Sequence, residues 1–287
     1  MEQTGFRAMG TEVELILDVP PNGWSPGIFA TVRQEFARLE SILSRFRPDS
    51  ELSALNRSGR VHAGPDLVRV TELALAARVQ TNGRFDPTVH DALVAAGYDR
   101  TFEEVGALGT VVATRPDARC GGGVSVDRET GEIVLEPGTH LDFGGIGKGY
   151  AVDRACDLLA PYGPCLVSAG GDLAVRGGSW PVGVDAALEL TLELTSGAIA
   201  TSGSDRRRWS TTRGDAHHLI DPQTGAPSET DLVRVTVVGR SAVEAEVLAK
   251  ALFLAGVERA RAEADELEVP AVLTLDDGRI LLAGGLS

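Results

Sequence analysis

Hydrophobic and polar positions change period several times along this chain, and the changes mark out its elements. Thr11 to Val19 alternate apolar and polar residues, as a half-buried strand does. Pro20-Pro21-Asn22-Gly23 then reads as a turn, and Ser25-Pro26 supplies an N-cap and a first helical residue. Phe29, Val32, Phe36, Leu39, Leu43 and Phe46 recur every three or four residues, which predicts a helix over 26–46 with one face committed to a core. Arg47-Pro48-Asp49 ends it. A second amphipathic helix is predicted over 65–81, closed by Asn82-Gly83, and Asp86-Pro87 restarts a helix through Val89, Leu93 and Val94.

From Val124 onward the period falls toward two. VSVDRETGEIVLE reads as a hairpin and CLVSAGGDLAVRG as a further strand pair. Between them, Leu141 to Phe143 read as a strand end, Gly144, Gly145, Gly147 and Gly149 as a turn, and Tyr150 to Leu159 as a helix. Ser241 caps a strong helix, SAVEAEVLAKALFLAG; a charged helix over 257–267 and a hairpin, PAVLTLDDGRILLAGG, complete the pattern. Helices dominate the first hundred residues and strands dominate 124–240. This mixture of helices and antiparallel hairpins predicts an α+β architecture rather than a doubly wound parallel sheet. No Pro/Gly/Ser linker is long enough to divide the 287 residues, so 1–287 is read as one domain with unmarked lobe boundaries.

Composition narrows the function. A formal charge of −14, from 41 acidic and 27 basic residues, argues against a nucleic-acid or anionic-membrane surface, so any phosphate must be met in a local pocket. Cys120, Cys156 and Cys165 are too few and scattered for a disulfide framework or zinc cluster and read as core thiols. The start of the chain lacks a signal-peptide pattern, and no 18-residue apolar run occurs; a cytoplasmic, soluble protein is expected.

Five segments gather Gly, Asp, His and Lys where elements end: MGT at 9–11, NGRFDPTVHD at 82–91, LDFGGIGKG from Leu141, SAGGDLAVRG at 168–177 and AHHLIDPQTGAP at 216–227. The third has the parts of a phosphate site. Its glycines admit a ligand to the backbone, the helix N-terminus offers unpaired N–H groups, Lys148 adds a charge, and Asp142 is placed to accept hydrogen bonds from a base or ribose. Its spacing matches neither the dinucleotide fingerprint nor the Walker loop. In the fifth segment, His217 and His218 are adjacent on an extended strand and point to opposite faces, so they do not chelate one ion. One inward histidine beside Asp221 suits general-base work instead; the plainer reading is a hairpin turn with solvated histidines.

In order and spelling these segments resemble the ApbE family, the FAD:protein FMN transferases. MGT, LSRFRPDSELSALN, GRFDPTV, LDFGGIGKGYAVD, SAGGD, AIATSG, HHLIDPQTG and the SAVEAEVLAKALFLAG helix follow the family's blocks over nearly the whole chain. The resemblance implies two lobes with an FAD cleft between them. It also implies transfer of the FMN half of FAD to a Ser or Thr hydroxyl of an acceptor flavoprotein, with release of AMP. FAD contacts then fall on Met9, Phe46, Arg84, Phe85, Asp86, Asp142, Lys148 and Leu219, although Phe46 also continues the core stripe of the first helix. His218 becomes the base that deprotonates the acceptor hydroxyl.

One departure stands out. The family's Mg²⁺ site would comprise the Gly145 carbonyl with an Asp and a Thr spaced i, i+4 on the late helix, and here those positions are Glu246 and Lys250. Glu keeps an oxygen ligand, whereas a charged Lys has no lone pair and repels a dication. Three readings follow: the Lys250 ammonium takes the ion's place; Mg²⁺ binds through Gly145, Glu246 and phosphate while Lys250 swings aside; or Glu246 and Lys250 form a plain ion pair in a non-catalytic flavin binder. An FAD pyrophosphatase, with water replacing the acceptor, is the other enzymatic alternative.

Overall fold

The computed structural model describes residues 1–19, 27–114, 120–185 and 190–286. The chain opens with a hairpin of β1 (Glu2–Ala8) and β2 (Thr11–Leu17), then α1 (Ile28–Leu43), α2 (Glu51–Ser58), β3 (Arg60–His62), α3 (Pro65–Gln80), α4 (His90–Ala95), α5 (Phe102–Ala107) and β4 (Thr110–Val111). The hairpin β5 (Val124–Asp127) and β6 (Glu132–Leu135) leads to α6 (Gly147–Leu159) and three longer strands, β7 (Cys165–Ala169), β8 (Asp172–Asp185) and β9 (Leu190–Gly203). Short strands β10 (Arg208–Thr211), β11 (Gly214–His217), β12 (Ile220–Asp221) and β13 (Ala226–Pro227) precede β14 (Leu232–Gly239), α7 (Ala242–Ala255), α8 (Val257–Glu266), β15 (Ala271–Leu275) and β16 (Ile280–Ala283). The α+β class is thus observed. None of the described helices is long and apolar enough to cross a membrane.

An eight-stranded sheet, ordered β1-β2-β7-β8-β9-β14-β15-β16 with every neighbouring pair antiparallel, forms the scaffold. Helices α1, α6, α7 and α8 pack on it. Val13, Leu15 and Leu17 alternate inward from β2 to meet Val32, Phe36 and Leu39 of α1 in one buried cluster with Ala151, Val152 and Ala155 of α6. A separate apolar cluster joins Leu93 and Tyr98, from α4 and the residues after it, to Val105, Val111, Trp209 and Ile220. The space between this smaller cluster and the main body becomes the site.

Several elements differ from the sequence reading. Helix α1 ends at Leu43 because Ser44 turns extended, and Phe46 leaves the helix and its core stripe to pack beside Tyr98. The turn over 20–23 and the Ser25-Pro26 cap lie outside the described residues. Helix α4 starts only at His90, since Asp86 Oδ1 accepts hydrogen bonds from the Thr88 N–H at 2.8 Å and hydroxyl at 2.7 Å and holds the preceding residues in a turn. Leu141 to Phe143 are not a strand. The Asn56 amide takes the place of a ladder partner, donating to the Leu141 carbonyl and accepting from its N–H, each at 2.8 Å. Strand β1 was not anticipated at all. It is joined to β2 by the two-residue turn Met9-Gly10, with φ of 51° and 69°, the left-handed pair of a type I′ hairpin.

Candidate active site

A cavity of about 680 Å³ opens between the two bodies, within the range of small-molecule and cofactor sites. Met9, Phe46, Arg84, Phe85, Asp86, Asp142, Gly145, Lys148, His218 and Lys250 all line it, so most of the residues singled out from the sequence converge on one wall or another. Leu219 does not. Its side chain is buried with Leu232, Val235 and Phe253, and its backbone N–H and carbonyl are taken by His217 Nδ1 and the Ser228 N–H. Glu246 lines a second, smaller cavity of about 270 Å³, in which Gly144, Lys148, Arg207, His218 and Lys250 reappear. Those five residues are common to both cavities and mark where they meet.

The glycine segment is built differently from a bare phosphate loop. Asp142 Oδ1 accepts the Gly144 N–H at 2.8 Å, and Asp142 Oδ2 meets Arg45 Nε at 2.6 Å. Arg45 is nearly buried: it also donates to the Tyr98 carbonyl at 2.6 Å and lies over the rings of Phe46 and Tyr98, at 4.1 and 4.7 Å from their centres. It thereby fixes the wall on which Asp142 and Phe46 sit. The sequence reading passed over Arg45 although it lies inside the LSRFRP block, because an arginine after an amphipathic stripe looks like ordinary helix punctuation.

Lys148, at the start of α6, bonds Asp172 and Glu246 together, with Glu246 Oε1 at 2.7 Å. The second Glu246 oxygen accepts the Gly149 N–H at 2.9 Å, so a carboxylate already satisfies that N–H in the helix's first turn. Gly149 is therefore a packing residue: a Cβ there would stand 2.7 Å from the Ala242 carbonyl oxygen, so only glycine lets α6 approach α7 this closely. Asp172 and Glu246 are both buried. Burial and the neighbouring Glu246 push Asp172 up to about 6, and Lys148 opposes that rise. Burial disfavours the Lys148 ammonium, but the two carboxylates outweigh it and hold Lys148 above its usual range.

Lys250 is placed otherwise. A Cβ built on Gly145 would lie 2.9 Å from Lys250 Cε and 3.2 Å from its Nζ, so the ammonium rests directly on the glycine turn. Among the described residues, Lys148 is the ion-pair partner of Glu246, one turn before Lys250 on α7. Burial and the nearby Lys148 and Arg207 charges depress Lys250 below the usual lysine range, with Glu246 and Asp172 pulling the other way. His218 lines both cavities with it. Burial above all, then the charges of Arg207 and Lys250, push this imidazole well below its ordinary range, so it is neutral at physiological pH. Its Nδ1 is buried and has no hydrogen-bond partner among the described residues. His217, by contrast, is tied to the Ser228 carbonyl at 3.0 Å and the Leu219 N–H at 3.2 Å, which separates the two histidines as strand alternation required.

Arg84 donates to the Ala251 carbonyl at 3.1 Å and pairs with Glu263, bracing the cavity floor against α7 and α8. Asp86 turns toward Arg78 at 3.6 Å as well as toward Thr88. Asp172 and Arg207 complete the polar junction, and neither was singled out from the sequence. Asp172 lies within SAGGDLAVRG, and only tertiary folding brings it to Lys148.

The profile of the ApbE family matches residues 9–273. The chain is 29% identical to an FAD:protein FMN transferase of Treponema pallidum over 290 aligned positions, covering 90% of this chain and 79% of that protein. It is 27% identical to one of Klebsiella pneumoniae, covering 87% and 77%. Among solved structures, the ApbE protein of Thermotoga maritima superposes with a TM-score of 0.82 at 25% identity, over 98% of this chain and 96% of that one. The apo flavinyl transferase ApbE of Pseudomonas stutzeri gives 0.80 at 22% identity, covering 98% and 94%, a likeness of fold. The match across nearly the whole length, on a fold that brings the family's blocks to one cavity, shows that this chain belongs to the ApbE family.

Proposed function

We propose that this protein is an FAD:protein FMN transferase in which the Lys250 ammonium, rather than a Mg²⁺ ion, neutralises the diphosphate. The observation that carries the reading is the junction of the two cavities, which neutral His218 and Lys250 both line. FAD is assigned to the larger cavity, with Phe46 and Phe85 offering apolar faces and Asp86 and Asp142 offering acceptors. The acceptor flavoprotein presents a Ser or Thr hydroxyl at the junction. His218 takes the hydroxyl proton, the freed oxygen attacks the phosphorus of the FMN half, and the bond from that phosphorus to the oxygen of the AMP half breaks. AMP leaves with the bridging oxygen, and the proton passes from His218 to solvent or to AMP. Such a transfer is governed by positioning and charge neutralisation.

The residues at the family's metal position do not fit a dication. Lys250 lies on Gly145, and both Glu246 oxygens are engaged, by Lys148 and by the Gly149 N–H. The same contacts disfavour the plain Glu246–Lys250 ion pair of a passive flavin binder. The test is intact-mass analysis of an acceptor domain bearing an exposed Ser or Thr, incubated with FAD and this protein. An FMN-sized gain that disappears in His218→Ala, while that variant still binds FAD, is the expected result. Release of FMN and AMP without an adduct would replace the reading with FAD hydrolysis. Intact, bound FAD would replace it with flavin storage.

A further inference from the structure

The NGRFDPTVHD segment ends in two residues that the proposed transfer does not use, His90 and Asp91, and a third, His140, reaches them from the other side of the fold. His90 Nδ1 lies 2.8 Å from one Asp91 oxygen and His140 Nδ1 lies 2.8 Å from the other. One nitrogen from each ring and one Asp91 oxygen all fall within 4.8 Å of one another. The ring centres are 5.5 Å apart and tilted by 51°. Two imidazoles bound to one tetrahedral ion at Zn–N distances of about 2.0–2.1 Å place their ring centres roughly 5 Å apart. The arrangement therefore needs little movement to close on an ion.

We propose that His90, Asp91 and His140 form a binding site for a divalent transition-metal ion, Zn²⁺ in the first instance, that ties the start of α4 to the segment entering the glycine turn. Two imidazoles and one carboxylate are a donor set suited to Zn²⁺ and unsuited to Mg²⁺, which prefers oxygen throughout. The side chains are 21%, 40% and 35% exposed, so the ion can enter and water can complete its shell. Both imidazoles bind as neutral rings with the proton on Nε2, so ion binding replaces the Nδ1–H bonds to Asp91 with Nδ1 lone pairs directed at the metal. The site stands on the scaffold beside the proposed FAD cavity. Val89, next to His90, and Asp142, two residues after His140, line that cavity.

The test is calorimetric titration of the full, tag-free chain with ZnCl₂. About one equivalent of Zn²⁺ should bind, Mg²⁺ should give no heat at this site, and His90→Ala and His140→Ala should each weaken binding at least tenfold. His62→Ala removes an exposed histidine elsewhere and should leave the titration unchanged. Asp91→Asn keeps the side-chain shape, and a Zn²⁺-induced rise in Tm that is present in the native chain and lost in this variant reads the same site through stability. No binding to the native chain, or equal binding by the His90 and His140 variants, would reduce the cluster to a hydrogen-bonded bridge and overturn the proposal.

Discussion

Lys148 and Lys250 are both cations at the cavity junction, yet their surroundings differ in kind. Lys148 is neutralised by Asp172 and Glu246, whereas Lys250 rests on the glycine turn within the field of those carboxylates and bonded to neither. A partly desolvated cation is costly unless an anion arrives, and Lys250 has no ion-pair partner among the described residues, which makes it the better placed of the two to meet a diphosphate. The sequence placed Glu246 and Lys250 one turn apart, and it offered their mutual ion pair as one reading. It did not disclose that Lys148, 98 residues away, claims Glu246, because that choice is made by how α6 and α7 pack. His218 carries a pH prediction. Its folded-state affinity for a proton is depressed, so as pH falls through the ordinary imidazole range the unfolded chain takes up a proton that the folded chain refuses. Stability from this group is present above that range and is lost below it. His217 is shifted in the same direction by its burial. Thermal melts between pH 7.5 and 5.5 should show Tm falling with pH, and His218→Asn should flatten the fall; an equal fall in the variant would place the effect elsewhere.

At the scale of elements, α6 and α7 hold the junction together, and both were legible. The Ser241 cap, whose hydroxyl accepts the Glu244 N–H at 3.2 Å, and the long apolar run after it announced α7. The helix after the glycine turn was also evident, though its start at Gly147 was not. What failed were segments whose backbone is satisfied by side chains. Leu141 is bridged by Asn56 from 85 residues away, and Asp86 holds Thr88 in a local turn, so apolar pattern and proline position pointed to a strand and a helix start that side-chain hydrogen bonds replace. Gly149 was read as backbone freedom for a ligand and serves instead as the contact between the two helices. Gly149→Ala should therefore push α6 from α7 and break the N–H bond to Glu246. A loss of about 1–3 kcal/mol in urea unfolding is expected, as for other overpacked contacts. Unchanged stability would mean that the helices separate freely and that the close approach is incidental.

The molecule as a whole is acidic, yet seven cationic side chains and only four carboxylates line the larger cavity. That concentration of positive charge is what a dinucleotide diphosphate requires, and the composition alone pointed away from it. The cavity arises because the β1-β2 hairpin lies next to β7 in the main sheet, bringing the Met9-Gly10 turn to the cavity wall, while β10 and β11 join the α4–α5 cluster opposite. Pairings between strands so distant in sequence cannot be read from local periodicity. Only the resemblance of ordered motifs pointed to a common cleft. The central claim is that Lys250 supplies the charge that carries FMN transfer, and it is tested most directly by the rate of FMN-sized mass gain on an acceptor domain in EDTA and in Mg²⁺. The native chain should transfer at comparable rates in both. Lys250→Thr should lose on the order of 10²–10³-fold in EDTA, as when one electrostatic stabiliser of a transition state is removed, and regain rate with Mg²⁺. Abolition of native transfer by EDTA would contradict the account and return the role to a bound ion.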